Sequence, residues 1–403
     1  MEARKKWDLL SIASIPLTMT LANSMLIPVL PAMQKALRIS ALQASLIITA
    51  YAAVAILFIP IAGYLSDRYS RKAVILPSLL LVSIAGVGAG LAALWPDNAY
   101  RYILIARLVQ GLGSSGCFPV VLPLVGDLFK NDEDVSSGLG LVETANTFGK
   151  VISPIIGAAL AIWTWYIPFF AIPIFSMLSF FLVLFLVKPA ANKKKQQKPI
   201  SPAKFLKAIL ALLRMKGKWL YGIFAIGGIC MFIIFGSLFF LSETLESRGI
   251  KPIIKGLILA VPLACLCLVS FLSGKWIGQN KQTMKWTSFI GLTLAAIVLF
   301  LLGIVEWDQT WWVVLMLAFA SAGIGAALPS LDALITEGID QKQRGTVTSL
   351  YSSMRFIGVA AGPPVSALLL RGSMSALFYV IAIAALLAAL INAIFIRPGH
   401  RLY

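Results

Sequence analysis

The sequence predicts an all-α integral membrane protein with twelve transmembrane helices in two pseudo-symmetric six-helix bundles. Three observations carry that prediction. First, the 403-residue chain is 59% hydrophobic and only 12% charged, whereas a soluble domain is about 45–50% apolar and about 25% charged. Second, its apolar residues gather into twelve runs of spanning length, a span needing roughly 20 residues. Third, the last six runs repeat features of the first six at an offset near 210 positions. A mean hydropathy of +0.90 agrees. This composition excludes a water-soluble enzyme, a disordered chain and a disulfide-stapled secreted domain.

The runs fall at about 9–30, 42–65, 73–95, 102–126, 137–162 and 166–187, and after a polar interruption at about 219–242, 256–277, 286–305, 311–335, 346–370 and 374–396. Runs of this length in hydrocarbon must be helical, because an open backbone there leaves unpaired polar groups. The first run is longer than a signal-peptide core and is read as a retained span. Of the four Cys, Cys230, Cys265 and Cys267 sit in apolar runs, so neither a disulfide framework nor a metal site is readable, and no cofactor is expected.

Orientation follows from the cations. With the N-terminus in the cytoplasm, the inside segments hold 23 of the 34 Lys and Arg and the outside segments 7, with Arg107, Lys150, Lys275 and Arg355 in or beside spans. The positive-inside rule therefore places both termini in the cytoplasm of a cell membrane, the bacterial cytoplasmic membrane by expectation. The net charge of +18 then reads as topology signal and attraction to anionic lipid headgroups, not as a nucleic-acid surface.

Three segments result: an N-terminal bundle over 1–187, a basic linker over 188–218 and a C-terminal bundle over 219–403. The linker carries nine Lys, one Arg and no acid. Between Ser201 and Arg214 it sets Phe205, Ile209, Leu212 and Leu213 against Lys204, Lys207 and Arg214, the stripe of an amphipathic helix lying on the membrane surface.

The repeat is specific. Pro123 follows the small residues Gly113 to Gly116, and Pro329 follows Ser321 to Gly325, 206 positions on. Gly149 and Pro154 recur as Gly358 and Pro363, both shifted by 209, and Gly63 recurs as Gly274, shifted by 211. Two six-helix halves on a linker are the architecture of a transporter that rocks one half against the other around a midplane site.

The loop between the second and third runs reads Gly63-Tyr64-Leu65-Ser66-Asp67-Arg68-Tyr69-Ser70-Arg71-Lys72. An acid at a helix end followed by three cations is a charge cluster able to latch neighbouring helix ends. The string resembles the Gly-x-Leu-Ala-Asp-Arg-x-Gly-Arg-Lys signature of the major facilitator superfamily, with Ser66 for Ala and Ser70 for the second Gly. The resemblance implies a conformational latch of Gly63, Asp67, Arg68, Arg71 and Asp127. In it Asp67 caps the start of span eleven and Arg71 pairs with Asp127, which closes span four.

Span four also carries Arg107-x-x-Gln110-Gly111, similar to that family's intramembrane Arg-x-x-Gln-Gly motif. Span five carries Gly149-x-x-x-Ser153-Pro154-x-x-Gly157-Ala158, similar to the antiporter motif of the drug-exporting branch, with Ser153 and Ala158 where Gly is usual. Both departures are to small residues, so close helix approach survives, and Pro154 permits a kink. Together these resemblances imply a monomeric, proton-coupled exporter of small hydrophobic or amphipathic compounds, of the multidrug-efflux and antibiotic-resistance type, driven by the proton gradient. The alternative is a lipid or lipid-linked flippase, or a dedicated exporter of one endogenous metabolite or siderophore, on the same architecture.

Ionisable groups inside spans are few. Glu143, Asn146 and Lys150 fall at i, i+3 and i+7 on one helix face, with Asp332 in span ten and Arg355 in span eleven. A carboxylate in hydrocarbon is costly, so such sites favour the protonated acid and can exchange a proton for cargo. Glu143 and Asp332 are the expected proton-coupling residues. The competing reading makes them structural partners, Glu143 of Lys150 or Arg107 and Asp332 of Arg355. The expected cavity wall comprises Met19, Asn23, Tyr51, Arg107, Gln110, Asn146, Lys150, Met231, Phe232, Phe235, Tyr351, Met354 and Arg355. Flexible Met and aromatic surfaces suit hydrophobic cargo better than a sugar.

Enzymatic readings fail on the residues. Gly113-Ser114-Ser115-Gly116 matches an intramembrane protease string, but a buried Ser needs a base and the single His is His400, beyond the last span. No phosphate-binding Gly-x-x-x-x-Gly-Lys-[Ser/Thr] string occurs either.

Overall fold

A computed structural model describes residues 3–128, 132–187, 202–277, 280–304, 309–339 and 341–396. Helices account for the elements in these segments. The first half contains α1 (Ala3–Ser24), a 3-10 turn (Ile27–Val29) and α2 (Leu30–Leu37), then α3 (Ala41–Arg68), α4 (Arg71–Ala92), α5 (Ala99–Ser115), α6 (Phe118–Leu128), α7 (Asp132–Leu160) and α8 (Ile167–Leu186). The second half contains α9 (Pro202–Ser247), α10 (Pro252–Ile277), α11 (Lys281–Ile304), α12 (Thr310–Gly338), α13 (Gln341–Leu369) and α14 (Met374–Phe395).

Span one is broken into α1, the turn and α2, with prolines at Pro28 and Pro31 starting the turn and α2. Proline lacks the backbone donor and pre-sets φ, so it fits a first turn and not an interior one. Span four divides likewise into α5 and α6 around Gly116 and Cys117. The expected linker helix is present as backbone over 202–216, and its residues 188–201 and the side chains of its stripe lie outside the described ones. It joins the spanning part of α9 at Gly217, whose φ of +50° and ψ of −134° turn the chain there.

Ten stretches of the described residues are long and apolar enough to cross a membrane. The other two crossings are α7 and α13, 29 residues each, which carry Glu143, Lys150 and Arg355 and so dilute their own hydropathy. The polar load is placed where it is useful, because these two helices line the seam between halves.

Packing repeats the sequence repeat. In the first half α4 packs on α5 and α8, α3 on α5, and α1 on α7 and α8. In the second, α11 packs on α12 and α14, α10 on α12, and α9 on α13 and α14. Each pair maps onto the other under a six-span shift. Between halves, α3 lies along α13 and α7 along α10. Large apolar side chains such as Leu57, Ile174 and Phe185 are exposed on the outer wall, a surface that lipid rather than water must cover. Exposed Trp95, Trp163 and Trp311 stand at the end opposite the chain termini, and Trp7, Trp276 and Trp286 at the termini end, as interfacial aromatic belts do.

Candidate functional site

Within the first half, α5 brings Arg107 into the bundle with no exposure at all. A buried guanidinium requires acceptors in every donor direction. Nε donates to the Ile47 carbonyl at 3.0 Å, Nη1 to the Ala22 carbonyl at 3.2 Å and to Gln110 Oε1 at 2.5 Å, and Nη2 to Asn23 Oδ1 at 2.8 Å. The Tyr51 ring lies 4.5 Å from the guanidinium carbon, and the Tyr51 hydroxyl shares a hydrogen bond with Ser114 at 2.5 Å. These acceptors are all neutral oxygens, so the Glu143 partner left open for Arg107 by the sequence is replaced by carbonyl and amide dipoles. Asn23, Tyr51, Arg107 and Gln110 form one brace across α1, α3 and α5. Met19, one turn earlier on α1, is also buried.

The second cluster straddles the seam. On α7 the spacing of Glu143, Asn146 and Lys150 puts them on one face toward α1. Thr20 Oγ1 donates to Asn146 Oδ1 at 2.6 Å, and Asn146 Nδ2 donates to Glu143 Oε1 at 3.1 Å. The amide is thereby oriented at both ends, and it holds one carboxylate oxygen. Lys150, two turns along, is 8% exposed. From the other half, Asp332 on α12 and Arg355 on α13 lie within electrostatic reach of Glu143 and Lys150. The Arg355 guanidinium sits 5.6 Å from the Tyr351 ring centroid, and Tyr351 stacks on Phe224 at 6.2 Å. Two acids and two bases, one of each from either half, therefore share one region. Of the apolar wall, Met231 and Phe235 are buried on α9, Phe232 is half-buried, and Met354 is exposed.

At the termini end, Arg71 bridges two carboxylates, Asp67 at 2.6 Å and Asp127 at 3.1 Å. The two serines that depart from the family signature both take part. Ser66 Oγ accepts from Arg71 Nη1 at 2.6 Å, and Ser70 Oγ caps α4 by accepting from the Ala73 amide at 3.1 Å. Arg68 stands apart, its guanidinium carbon 5.5 Å from the Tyr69 ring. Gly63 faces Ser349 of α13. The side chains at the start of α13, where Asp67 is expected to act as a cap, lie outside the described ones. In the span-five motif, Ser153 is buried and its hydroxyl donates to the Lys150 carbonyl at 3.1 Å, while Gly149, Pro154 and Gly157 are all buried.

A network missed at the sequence level closes the opposite end. Gln34 and Lys35 on α2 meet Glu243 and Glu246 on α9. Gln34 Nε2 donates to Glu243 Oε1, Lys35 Nζ lies 2.6 Å from Glu246 Oε1, and Lys255 Nζ of α10 lies 2.8 Å from Glu246 Oε2. Ser242 Oγ donates to the Ile27 carbonyl at 2.9 Å. Each contact joins the two halves or braces one that does. A signal was available: Gln34 and Glu243 are 209 positions apart, and Lys35 and Glu246 are 211, the offset of the repeat itself. Residues beside the pseudo-twofold axis meet their own counterparts.

The family model described as Major Facilitator Superfamily matches residues 12–358 and 284–402. The chain is 48% identical to the bacillibactin exporter of Bacillus subtilis (strain 168) over 372 residues, 91% of this chain and 90% of that one. It is 25% identical to the class D tetracycline resistance protein of Salmonella ordonez, covering 87% of each chain. Among solved structures, a D-xylose-proton symporter superposes with a TM-score of 0.77 at 17% identity, covering 98% of each chain. With the packing repeat and the spanning helices, these matches make the chain a multi-pass membrane transporter belonging to the Major Facilitator Superfamily.

Proposed function

We propose that this protein is a dedicated exporter of bacillibactin or a closely similar product, coupled to the proton gradient, with both termini in the cytoplasm. The single observation that carries the cargo assignment is the 48% identity over nine-tenths of both chains to the bacillibactin exporter. The broad multidrug reading expected from the sequence is favoured only by more distant relatives, such as the tetracycline resistance protein at 25%. A flippase has no comparable support. Orientation rests on the 23-to-7 bias of cations toward the termini side.

The seam cluster supports coupling. Lys150 and Arg355 offer oxygen-rich or anionic cargo one cation from each half. Glu143 and Asp332 supply carboxylates whose oxygens can hold a proton or accept from a cargo donor. A cargo rich in hydrogen-bond donors competes with the proton for those oxygens, and that competition is what antiport requires.

The test is purified protein in liposomes, oriented termini outward, with an acidic lumen imposed. Bacillibactin should accumulate inside, collapse on addition of a protonophore, and outcompete tetracycline. Equal accumulation of tetracycline and lipophilic dyes would restore the multidrug reading. Accumulation indifferent to the protonophore would remove the coupling and leave a passive carrier.

A further inference from the structure

On the outer wall of the second half, α10, α11 and α12 enclose a groove of about 600 Å³ that opens sideways. Its floor is the close crossing of α11 and α12 at Gly291 and Gly323. Its walls carry Trp276, 77% exposed, with Trp286, Ile290 and Leu294, also exposed. The polar end, with Gln282 and Thr283, sits where α11 begins, at the termini side. From Gln282 to Leu294 the groove follows α11 for about 18 Å at 1.5 Å per residue, close to the roughly 15 Å depth of one leaflet's hydrocarbon.

At the mouth, α10 and α11 contribute only cations. Lys275, Lys281 and Lys285 each adjoin a groove residue in sequence, Trp276, Gln282 and Trp286 respectively. Lys285 Nζ is 5.9 Å from the Trp286 ring centroid and donates to the Ala393 carbonyl at 3.1 Å, while Lys275 Nζ lies 4.2 Å from the Phe271 ring. Lys285 is thus held beside Trp286 of the groove wall. From 252 to 304 the sequence has no Asp or Glu at all.

We propose that this groove is a binding site for an anionic phospholipid of the termini-side leaflet. One acyl chain lies between Trp276, Trp286 and Leu294, and the headgroup phosphate is held by Lys275, Lys281 and Lys285. The groove is distinct from the seam cluster: none of its lining residues is Glu143, Lys150, Asp332 or Arg355. An apolar slot one leaflet deep selects a chain, and three cations at its interfacial end select negative charge.

The experiment is native mass spectrometry of the full chain released from nanodiscs made of equal parts phosphatidylglycerol and phosphatidylcholine. The wild type should retain one phosphatidylglycerol in preference to phosphatidylcholine. Each lysine replaced by glutamine should weaken that preference roughly fivefold, and the triple variant should abolish it. Thr287→Trp, which fills the groove without altering charge, should lose the lipid as well, whereas Lys251→Gln with Arg371→Gln at the opposite end should not. A retained preference in the triple variant, unchanged retention in Thr287→Trp, or equal retention of both lipids by the wild type would each overturn the assignment. Because lipid retention is read without transport, failure here leaves the cargo assignment untouched, and failure there leaves this one.

Discussion

Lys35 and Glu246 are repeat mates, 211 positions apart, and they meet at 2.6 Å across the pseudo-twofold axis. The contact exists only while the halves are together at the end opposite the termini. Its two cations differ in surroundings: the Lys35 side chain is 71% exposed, whereas that of Lys255, on the other oxygen of Glu246, is 3% exposed. Losing Lys35 should therefore matter little, within about 1 kcal/mol for an exposed pair. Glu246→Gln strands the buried Lys255 and should disfavour the closed end by up to about 3 kcal/mol. Spin labels at Arg38 and Ser247 in a cysteine-free background should show a short distance in the wild type and in Lys35→Ala, and a long one dominating in Glu246→Gln. An unchanged distribution in Glu246→Gln would mean the network follows closure without stabilising it.

Arg107 is predicted to be a structural keystone of the first half. Four neutral acceptors surround it, and a lysine ammonium cannot reproduce the planar fork that reaches α1, α3 and α5 together. Arg107→Lys leaves buried oxygens without donors and should destabilise the protein by about 2 kcal/mol or more. Asn23→Ala, which removes one acceptor, should cost about 1 kcal/mol. Thermal melting in detergent by size-exclusion chromatography ranks the two. If Arg107→Lys melted like the wild type while transport fell, Arg107 would belong to the cargo path instead.

Much of this was readable in the chain because membrane physics leaves few options. Twelve apolar runs must be helices, and the asymmetric cations set the expected topology. The Arg71 bridge to Asp127 was legible only because its string matches a known signature, since nothing in local spacing links residues 56 positions apart. The breaks in spans one and four were not foreseen, although Pro28 and Pro31 mark the first. The apolar run continues across each break, and hydropathy does not register backbone direction. The Gln34, Lys35, Glu243, Glu246 and Lys255 network was missed for a related reason. Polar residues at span ends are ordinary, and only their pairing across the axis gives them a role. For Arg107, cost arguments foresaw a partner, but not that four dipoles would serve in place of a carboxylate.

For proton coupling, the geometry separates charge from shape. Glu143 accepts from Asn146 at 3.1 Å, a bond that glutamine's carbonyl oxygen also accepts. Glu143→Gln should thus keep the Thr20–Asn146–Glu143 chain while abolishing any proton exchange there. Cargo counterflow without a gradient should persist near the wild-type rate, and gradient-driven accumulation should fall at least tenfold. Asp332→Asn is the matched test in the other half. If accumulation survives in Glu143→Gln and fails in Asp332→Asn, the carrier is Asp332 and Glu143 is structural. Survival in both would end the carboxylate account.

The sharpest separation between folding and rocking comes from two glycines. Gly157 on α7 lies against the Met25 backbone in its own half, and a Cβ there would overlap the Met25 carbonyl oxygen. Gly256 on α10 lies across the seam, where a Cβ would come within 2.7 Å of both the Pro154 carbonyl oxygen and the Ala158 Cβ of α7. Backbone cannot yield locally, so either substitution forces two helices apart. For Gly157→Val the helices belong to one bundle, and the strain falls on its core, where overpacking costs about 1–3 kcal/mol. A lower melting temperature is expected, with whatever protein remains folded still able to sample both conformations. For Gly256→Val the helices belong to different halves and can part by rocking, so the melting temperature should change little. The spin-label distance at Arg38 and Ser247 should instead lengthen, and cargo should bind without being turned over. Were Gly256→Val to transport at the wild-type rate, α7 and α10 could not be a seam that closes during the cycle.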